Sequence, residues 1–339
     1  MLQRYLVLGM VVVTSTAFTA TILVATALLP QMQGSLSATQ DEISWVMTFN
    51  ILATAVATPM TGWLVGRFGR RGLMVWCSAG FAVATVMCGA ADSLEALIFW
   101  RMMQGAIGAP IIPLAQTILF DAFPRRQHGM VISMFGMANM VGPVLGPTFG
   151  GQIAEAFGWR WGFYMVVPLS ILGAIGFRFL LPADKDLTRA SLDWVGFLSL
   201  STAIAAAQLV FSRGQRLDWY DSGEIWIATL TAIIAFYVFL THSLTTDRPF
   251  LNLRLLLDRN YSLGLIMVTM YGMLNFLPMV ILPPLLQQHA GYPDALIGQI
   301  VGLLIALNLV GLAFGFGLGP LLFRKLAATI DTRRAIILA

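Results

Sequence analysis

The chain has 339 residues, of which 58% are hydrophobic and 11% charged, and its mean hydropathy is +0.80. A soluble domain carries about 25% charged residues, so the composition excludes one and points to an integral membrane protein. The net charge of +4 does not signal nucleic-acid binding, because the basic residues sit in short loops between apolar runs, as the positive-inside pattern requires.

Apolar runs of about 20 residues, rather than alternating segments of about 10, predict an all-α integral membrane protein. In chain order the spans are predicted at 5–29, 43–66, 73–91, 96–120, 130–154, 162–181, 194–212, 225–244, 261–286 and 296–322. Arg4 precedes the first run and no small-residue cleavage site comes before Pro30, so the run reads as a retained helix, not a signal peptide. With the N-terminus inside, sixteen Lys and Arg fall in inside loops and helix ends, three fall outside, and Arg101 lies within a span. That asymmetry predicts a cytoplasmic N-terminus. Trp45, Trp159, Trp161, Trp219 and Tyr220 fall near the outer interface, where an aromatic belt is expected. Cys77 and Cys88 sit in one predicted helix, about 16 Å apart along its axis, and cannot bridge.

Residues 182–193 form a polar linker after the sixth span and mark the first six helices as a unit. Residues 248–260 form a second linker, apolar enough to lie along the membrane surface. Residues 335–339 read as the opening of another apolar run, so the sequence is expected to stop in the middle of an architecture.

Three stretches could carry function. Between spans two and three, Gly62, Gly66, Gly69 and Gly72 accompany Arg67, Arg70 and Arg71. A tight turn needs glycine, and the arginines can anchor orientation or grip acidic groups. Taken alone, a basic loop explains them equally well. In span four, Arg101, Gln104, Gly105 and Gly108 share one helical face. An arginine inside the membrane costs about 2.5–3.5 kcal/mol on insertion scales, so it should face the bundle interior or an aqueous cavity. Snorkelling to the outer surface is the alternative. In span five, Gly142, Gly146 and Gly150 recur every four residues beside Gly151, on a face that lets another backbone approach. Pro143 and Pro147 each remove a helical hydrogen bond, and a bend is expected there.

Together these stretches resemble motifs A (62–72), B (97–108) and C (136–151) of the major facilitator superfamily, in its drug:proton antiporter branch. More specific are Asp193-Trp-Val-Gly196, Arg213-Gly214 with Asp218-Trp219, the run 249–261, and Pro283-Pro-Leu-Leu-Gln-Gln288. These are similar to the inserted helix pair, linker and ninth span of the 14-spanning EmrB/QacA-type exporters. The resemblance implies the major facilitator fold, with about ten transmembrane helices present of an expected fourteen. It divides the chain into an N-terminal six-helix bundle (1–181), a linker with two inserted helices and a connector (182–260), and an incomplete C-terminal bundle (261–339).

The family also implies what the chain does: proton-coupled, alternating-access efflux of amphipathic or cationic toxic compounds from a bacterial inner membrane. The 62–72 loop would latch one side, and Arg101 would influence a neighbouring protonatable group. The energy source would be the proton gradient, with no cofactor. The EmrB branch further implies a periplasmic adaptor and an outer-membrane channel as partners, although no residue here demonstrates either.

Two departures from the family affect coupling. All sixteen acids fall in loops or at helix ends, whereas a coupled exporter is expected to use a desolvated carboxylate. Thr21 stands near the place where many relatives carry an acid, and Gly66 where motif A commonly has one. The three histidines read as solvated loop residues. Asn50, Asn139, Tyr271, Asn275 and Asn308 are candidates to line a cavity, because isolated polar groups in spans turn away from lipid. The alternatives are an uncoupled or differently coupled facilitator, and an inactive or partner-dependent fragment. An enzyme is not expected, because no acid cluster, metal-ligand spacing or nucleophile constellation is visible.

Overall fold

The structure, a computed structural model, describes residues 2–184, 187, 191–247, 249–290, 303 and 307. The span predicted at 296–322 therefore lies outside the described residues, apart from Leu303 and Leu307. Twelve α-helices occur among the described residues, joined by short turns and 3-10 segments, with no strand.

The first crossing is α1 (Leu2–Ser35), longer than its apolar run at both ends and continuous through Pro30. The second is α2 (Gln40–Ala57), which passes through a 3-10 turn at Thr58–Met60 into α3 (Thr61–Phe68). Thr39 caps α2 in a reciprocal capping box with Glu42. The third crossing is α4 (Arg70–Gly89). The fourth, expected as one helix, is two: α5 (Leu94–Gly108) and α6 (Ile111–Ala122). Pro110 and Pro113 interrupt the backbone ladder there, and the apolar run hides the break because proline does not interrupt hydropathy.

The fifth crossing, α7 (His128–Phe157), runs unbroken through both Pro143 and Pro147. Gly158, at φ +91°, turns the chain into α8 (Trp159–Tyr164), and α9 (Val167–Leu180) follows. A hairpin of α10 (Trp194–Arg213) and α11 (Gly223–Thr245) comes next, then α12 (Arg259–Ala290). Among the described residues seven stretches, α1, α4 and α11 included, are long and apolar enough to cross a membrane.

Helix α1 is the centre of the first bundle: it packs on α7 and α9, while α4 packs on α5 and α9, and α2 on α5. One core cluster joins α1, α4, α6, α7 and α9 through Val11, Phe18, Phe81, Leu114 and Phe177. A second joins α1, α2, α5 and α8 through Leu28, Val46, Leu97 and Phe163. Within a bilayer such contacts hold helices by close packing, because lipid tails are as apolar as leucine. Trp159, expected in the aromatic belt, belongs to this second core and is only 4% exposed; its ring packs edge-on against Phe163. Cys77 and Cys88 are both buried and free.

Candidate functional site

At one end of the bundle, Gly69 adopts φ +73° and ψ 162°, a region open essentially to glycine, and the chain turns sharply from α3 into α4. The turn delivers Arg70 and Arg71 to the start of α4. Arg70 pairs with Asp121 at the end of α6 and lies 4.0 Å from Asp184 in the segment after α9. Asp184 accepts a hydrogen bond from the Arg71 amide at 3.2 Å. Arg67 lies over the Trp63 ring at 5.9 Å. These ion pairs are partly exposed, so each contributes about 0–1 kcal/mol and fixes geometry more than it stabilises. Beneath them a cavity of about 300 Å³ opens between the ends of α1, α4, α6 and α9, with Arg4, Arg70 and Arg71 on its wall. Gly62 has open space around it among the described residues.

Near the middle of the bundle, Arg101 is completely buried, which excludes the outer-surface alternative. The helical face read from its spacing packs inward as a unit: Gln104, Gly105 and Gly108 are buried too. The Arg101 guanidinium donates to Gln104 Oε1 and, at 3.4 Å, to the Thr21 carbonyl on α1. It also lies 3.7 Å from Met47 Sδ on α2 and 5.8 Å from the centre of the Phe163 ring. Gln104 Nε2 donates to Thr85 Oγ1 on α4 at 2.7 Å, and Thr85 donates to the Phe81 carbonyl. One polar chain therefore ties α1, α5 and α4 together. No carboxylate among the described residues pairs with Arg101, and its Nε has no partner. A guanidinium stays protonated, so this charge is held by neutral dipoles, a thioether and an aromatic face.

Around Arg101 the glycines admit neighbouring helices. A Cβ at Gly105 would strike the Asn50 carbonyl on α2, and one at Gly108 the rings of Phe18 and Phe81. Asn50 Nδ2 itself donates to the Arg101 carbonyl at 2.8 Å. Its amide is thus spent between α2 and α5, in a buried contact.

The glycine ladder of α7 lies on α1. A Cβ at Gly142 would meet the Thr16 carbonyl at 2.7 Å, one at Gly146 the Ala20 carbonyl at 2.6 Å, and one at Gly150 Val24 Cγ1 at 3.2 Å. Two successive turns of α7 thus rest on the α1 backbone, and the third on the Val24 side chain. Thr16 Oγ1 fastens the pair by donating to the Ala138 carbonyl at 3.1 Å. Gly151, off that face, has nothing within 4 Å among the described residues. Asn139 keeps its Oδ1 buried without a partner, and Tyr271 is exposed on α12. The side chains of Pro147 and Asn275, and all of Asn308, lie outside the described residues.

The histidines are not free loop residues where the structure describes them. His128 contacts the carbonyls of Phe120 and Phe123 at the end of α6. His242, near the end of α11, bonds Asp193 Oδ1 at 2.8 Å. Asp193 also accepts from the amides of Gly196 and Phe250. Burial pushes its carboxyl up, but the Gly196 amide, the His242 ring and the Phe250 amide outweigh it and hold it below its ordinary value. One carboxylate thus gathers the start of α10, the end of α11 and the segment leading to α12. At the far end of the hairpin Arg216 pairs with Asp41, and Arg213 lies 5.5 Å over the Trp45 ring of α2.

Thr85 and Asp184 are not announced by the sequence, and Thr21 and His242 stand out in it only as a replacement for an acid and as a loop histidine. Thr21 acts through its main chain, which no pattern announces. Asp184 and His242 sit in or beside segments that look like plain connectors. The one sequence signal is that Asp184 lies in the polar linker at 182–193.

A family model described as Major Facilitator Superfamily matches residues 10–339. The chain belongs to that superfamily. It is 34% identical over 270 residues to the multidrug export protein EmrB of Escherichia coli (strain K12), covering 79% of this chain and 53% of that protein. It is 34% identical over 276 residues to the fatty acid resistance protein FarB of Neisseria gonorrhoeae, covering 81% and 54%. With the probable multidrug resistance protein EmrY of Escherichia coli (strain K12) it shares 30% identity over 265 residues, covering 78% and 52%. The chain thus spans about half the length of these relatives. Among solved structures, a peptide transporter POT in complex with sulfate superposes with a TM-score of 0.54 at 16% identity, over 71% of this chain and 53% of that one. That likeness supports the major facilitator fold: the chain is an all-α, multi-pass membrane protein.

Proposed function

We propose that the chain is the N-terminal part of a multidrug efflux transporter of the superfamily, working by alternating access and driven by the proton gradient, with no cofactor. The observation that carries this reading is the contact of α7 on α1, where the glycine face meets the Thr16 and Ala20 carbonyls and the Val24 side chain. Two helices this close, with only short side chains such as Thr19 and Val24 between them, can rock or slide with little repacking, as a helix pair at the centre of a moving bundle must. The similarity to proteins named for multidrug export, fatty acid resistance and multidrug resistance supports outward transport of drug-like compounds, which we take to be amphipathic or cationic. In this reading residues 1–181 form the first half, 182–260 the linker with its inserted pair and connector, and 261–339 the start of the second half. The protein sits in a bacterial inner membrane with a cytoplasmic N-terminus, so that Gly62, Arg67, Gly69, Arg70 and Arg71 latch the cytoplasmic side. A periplasmic adaptor and an outer-membrane channel complete the pathway.

The test is substrate accumulation in inverted vesicles. Uptake of a fluorescent amphiphile that collapses with the proton gradient supports coupled export; uptake that survives collapse overturns the coupling. A second reading, a facilitator coupled differently, is favoured by one observation: Arg101 is held entirely by neutral groups. The same vesicle assay separates the two.

A further inference from the structure

Beside the Gly69 turn, the ends of α4 and α9 leave a groove of about 480 Å³ on the outer surface of the bundle, lined in part by Phe68, Arg71, Val75, Trp76, Arg178 and Asp184. Trp76 is 72% and Phe68 52% exposed, so aromatic surface faces outward at the end of the bundle that gathers Arg4, Arg70, Arg71 and Arg178. Tryptophan at such a position settles at the level of lipid headgroups. Asp184 is already engaged by the Arg71 amide and lies near Arg70. By contrast, no carboxylate among the described residues pairs with the guanidinium of Arg71 or Arg178. Two guanidinium forks with no carboxylate partner among the described residues, beside an apolar wall, complement an amphiphile with a phosphate head. Asp184 at the rim disfavours a doubly charged free phosphate relative to a singly charged phosphodiester.

We propose that this groove binds an anionic phospholipid, with the phosphodiester between Arg71 and Arg178 and an acyl chain along Val75 and Trp76. Only the name of the leaflet, cytoplasmic, rests on the topology proposed above; the site itself rests on the groove. A lipid seated there braces the start of α4 against the end of α9, immediately beside the loop that turns at Gly69.

The experiment is native mass spectrometry of the purified chain titrated with phosphatidylglycerol and with phosphatidylcholine, with inorganic phosphate as competitor. Two arginines at a lipid surface predict a preference for phosphatidylglycerol of about thirty-fold. R71Q/R178Q should bring the two lipids close to parity. R125Q/R126Q, which removes two charges from a different loop, should leave the preference intact. A preference unchanged in R71Q/R178Q, lost equally in R125Q/R126Q, or abolished by inorganic phosphate alone overturns the proposal. Should the double variant not fold, R178Q alone alters an exposed side chain and must weaken the preference by the same logic.

Discussion

Arg101 on α5 donates at 3.4 Å to the main-chain carbonyl of Thr21 on α1. The contact places a permanent positive charge beside a residue with no proton to exchange. The Arg101–Thr21 contact contains no carboxylate.

Arg101→Met tests whether that charge is structural. A buried charge replaced by an apolar side chain of similar volume is often neutral or stabilising, so the variant is expected to insert normally with an unchanged or raised thermal midpoint while efflux is lost. Retained efflux would make the guanidinium a packing element alone. Arg101→Ala, which also opens a void and leaves Gln104 Oε1 without its donor, should lower the midpoint.

Gly146→Leu is expected to abolish transport without preventing insertion, and Gly146→Ala to impair it. A Cβ there lies 2.6 Å from the Ala20 carbonyl, and backbone cannot swing aside as a side chain can. Overpacking of this kind costs about 1–3 kcal/mol. Gly151→Ala, into open space among the described residues, is the control and should behave as wild type in the same drug-accumulation assay.

Gly69→Ala should destabilise the protein by about 1–3 kcal/mol, because φ +73° with ψ 162° is strained for any residue with a Cβ. The new methyl would also press on Asp184. Asp184→Ala removes only a partly exposed partner and should cost no more than about 1 kcal/mol. Thermal scans of both variants in detergent check the ranking; an Asp184→Ala cost equal to that of Gly69→Ala would show the carboxylate, not the backbone, to be decisive.

Asp193 gives a pH dependence of definite sign. Its carboxyl is lower in the folded protein than its ordinary value near 3.8, so the folded state favours the ionised form. The stabilisation is complete above that ordinary value and is lost as pH falls through the lower, folded one. Asp193→Asn should therefore lower the thermal midpoint at pH 6 and flatten its dependence on pH below about 4. An identical acid limb in wild type and variant would remove Asp193 as its source.

The crossings were legible because twenty-residue apolar runs have few alternative fates. The face shared by Arg101, Gln104, Gly105 and Gly108 was legible because helical periodicity fixes it before any partner is known. The division of the fourth crossing at Ala109–Pro110 was not, since hydropathy stays high through the break. Neither was the burial of Trp159, because a tryptophan after a glycine at a membrane edge fits belt and core equally well. The partners of Arg101 were hidden for another reason: Thr21 contributes a carbonyl, which every residue owns. Asp193 and His242 are 49 residues apart in sequence, and only the closing of the α10–α11 hairpin brings them to 2.8 Å.

The Asp193 junction also bears on mechanics. Its carboxylate holds the Phe250 amide, while at the other end of α10 the Arg216–Asp41 pair clips the hairpin to α2. Any travel of α12 relative to the first bundle must therefore be taken up between Phe250 and Arg259. The nine Cα-to-Cα steps from Phe250 to Arg259 extend to about 30 Å at most, and the 3-10 turn at Leu253–Leu257 already consumes part of that slack. In the function proposed above, the α10–α11 pair is a tether with a fixed stroke, and the length of its free cord would set how far the two proposed halves can part.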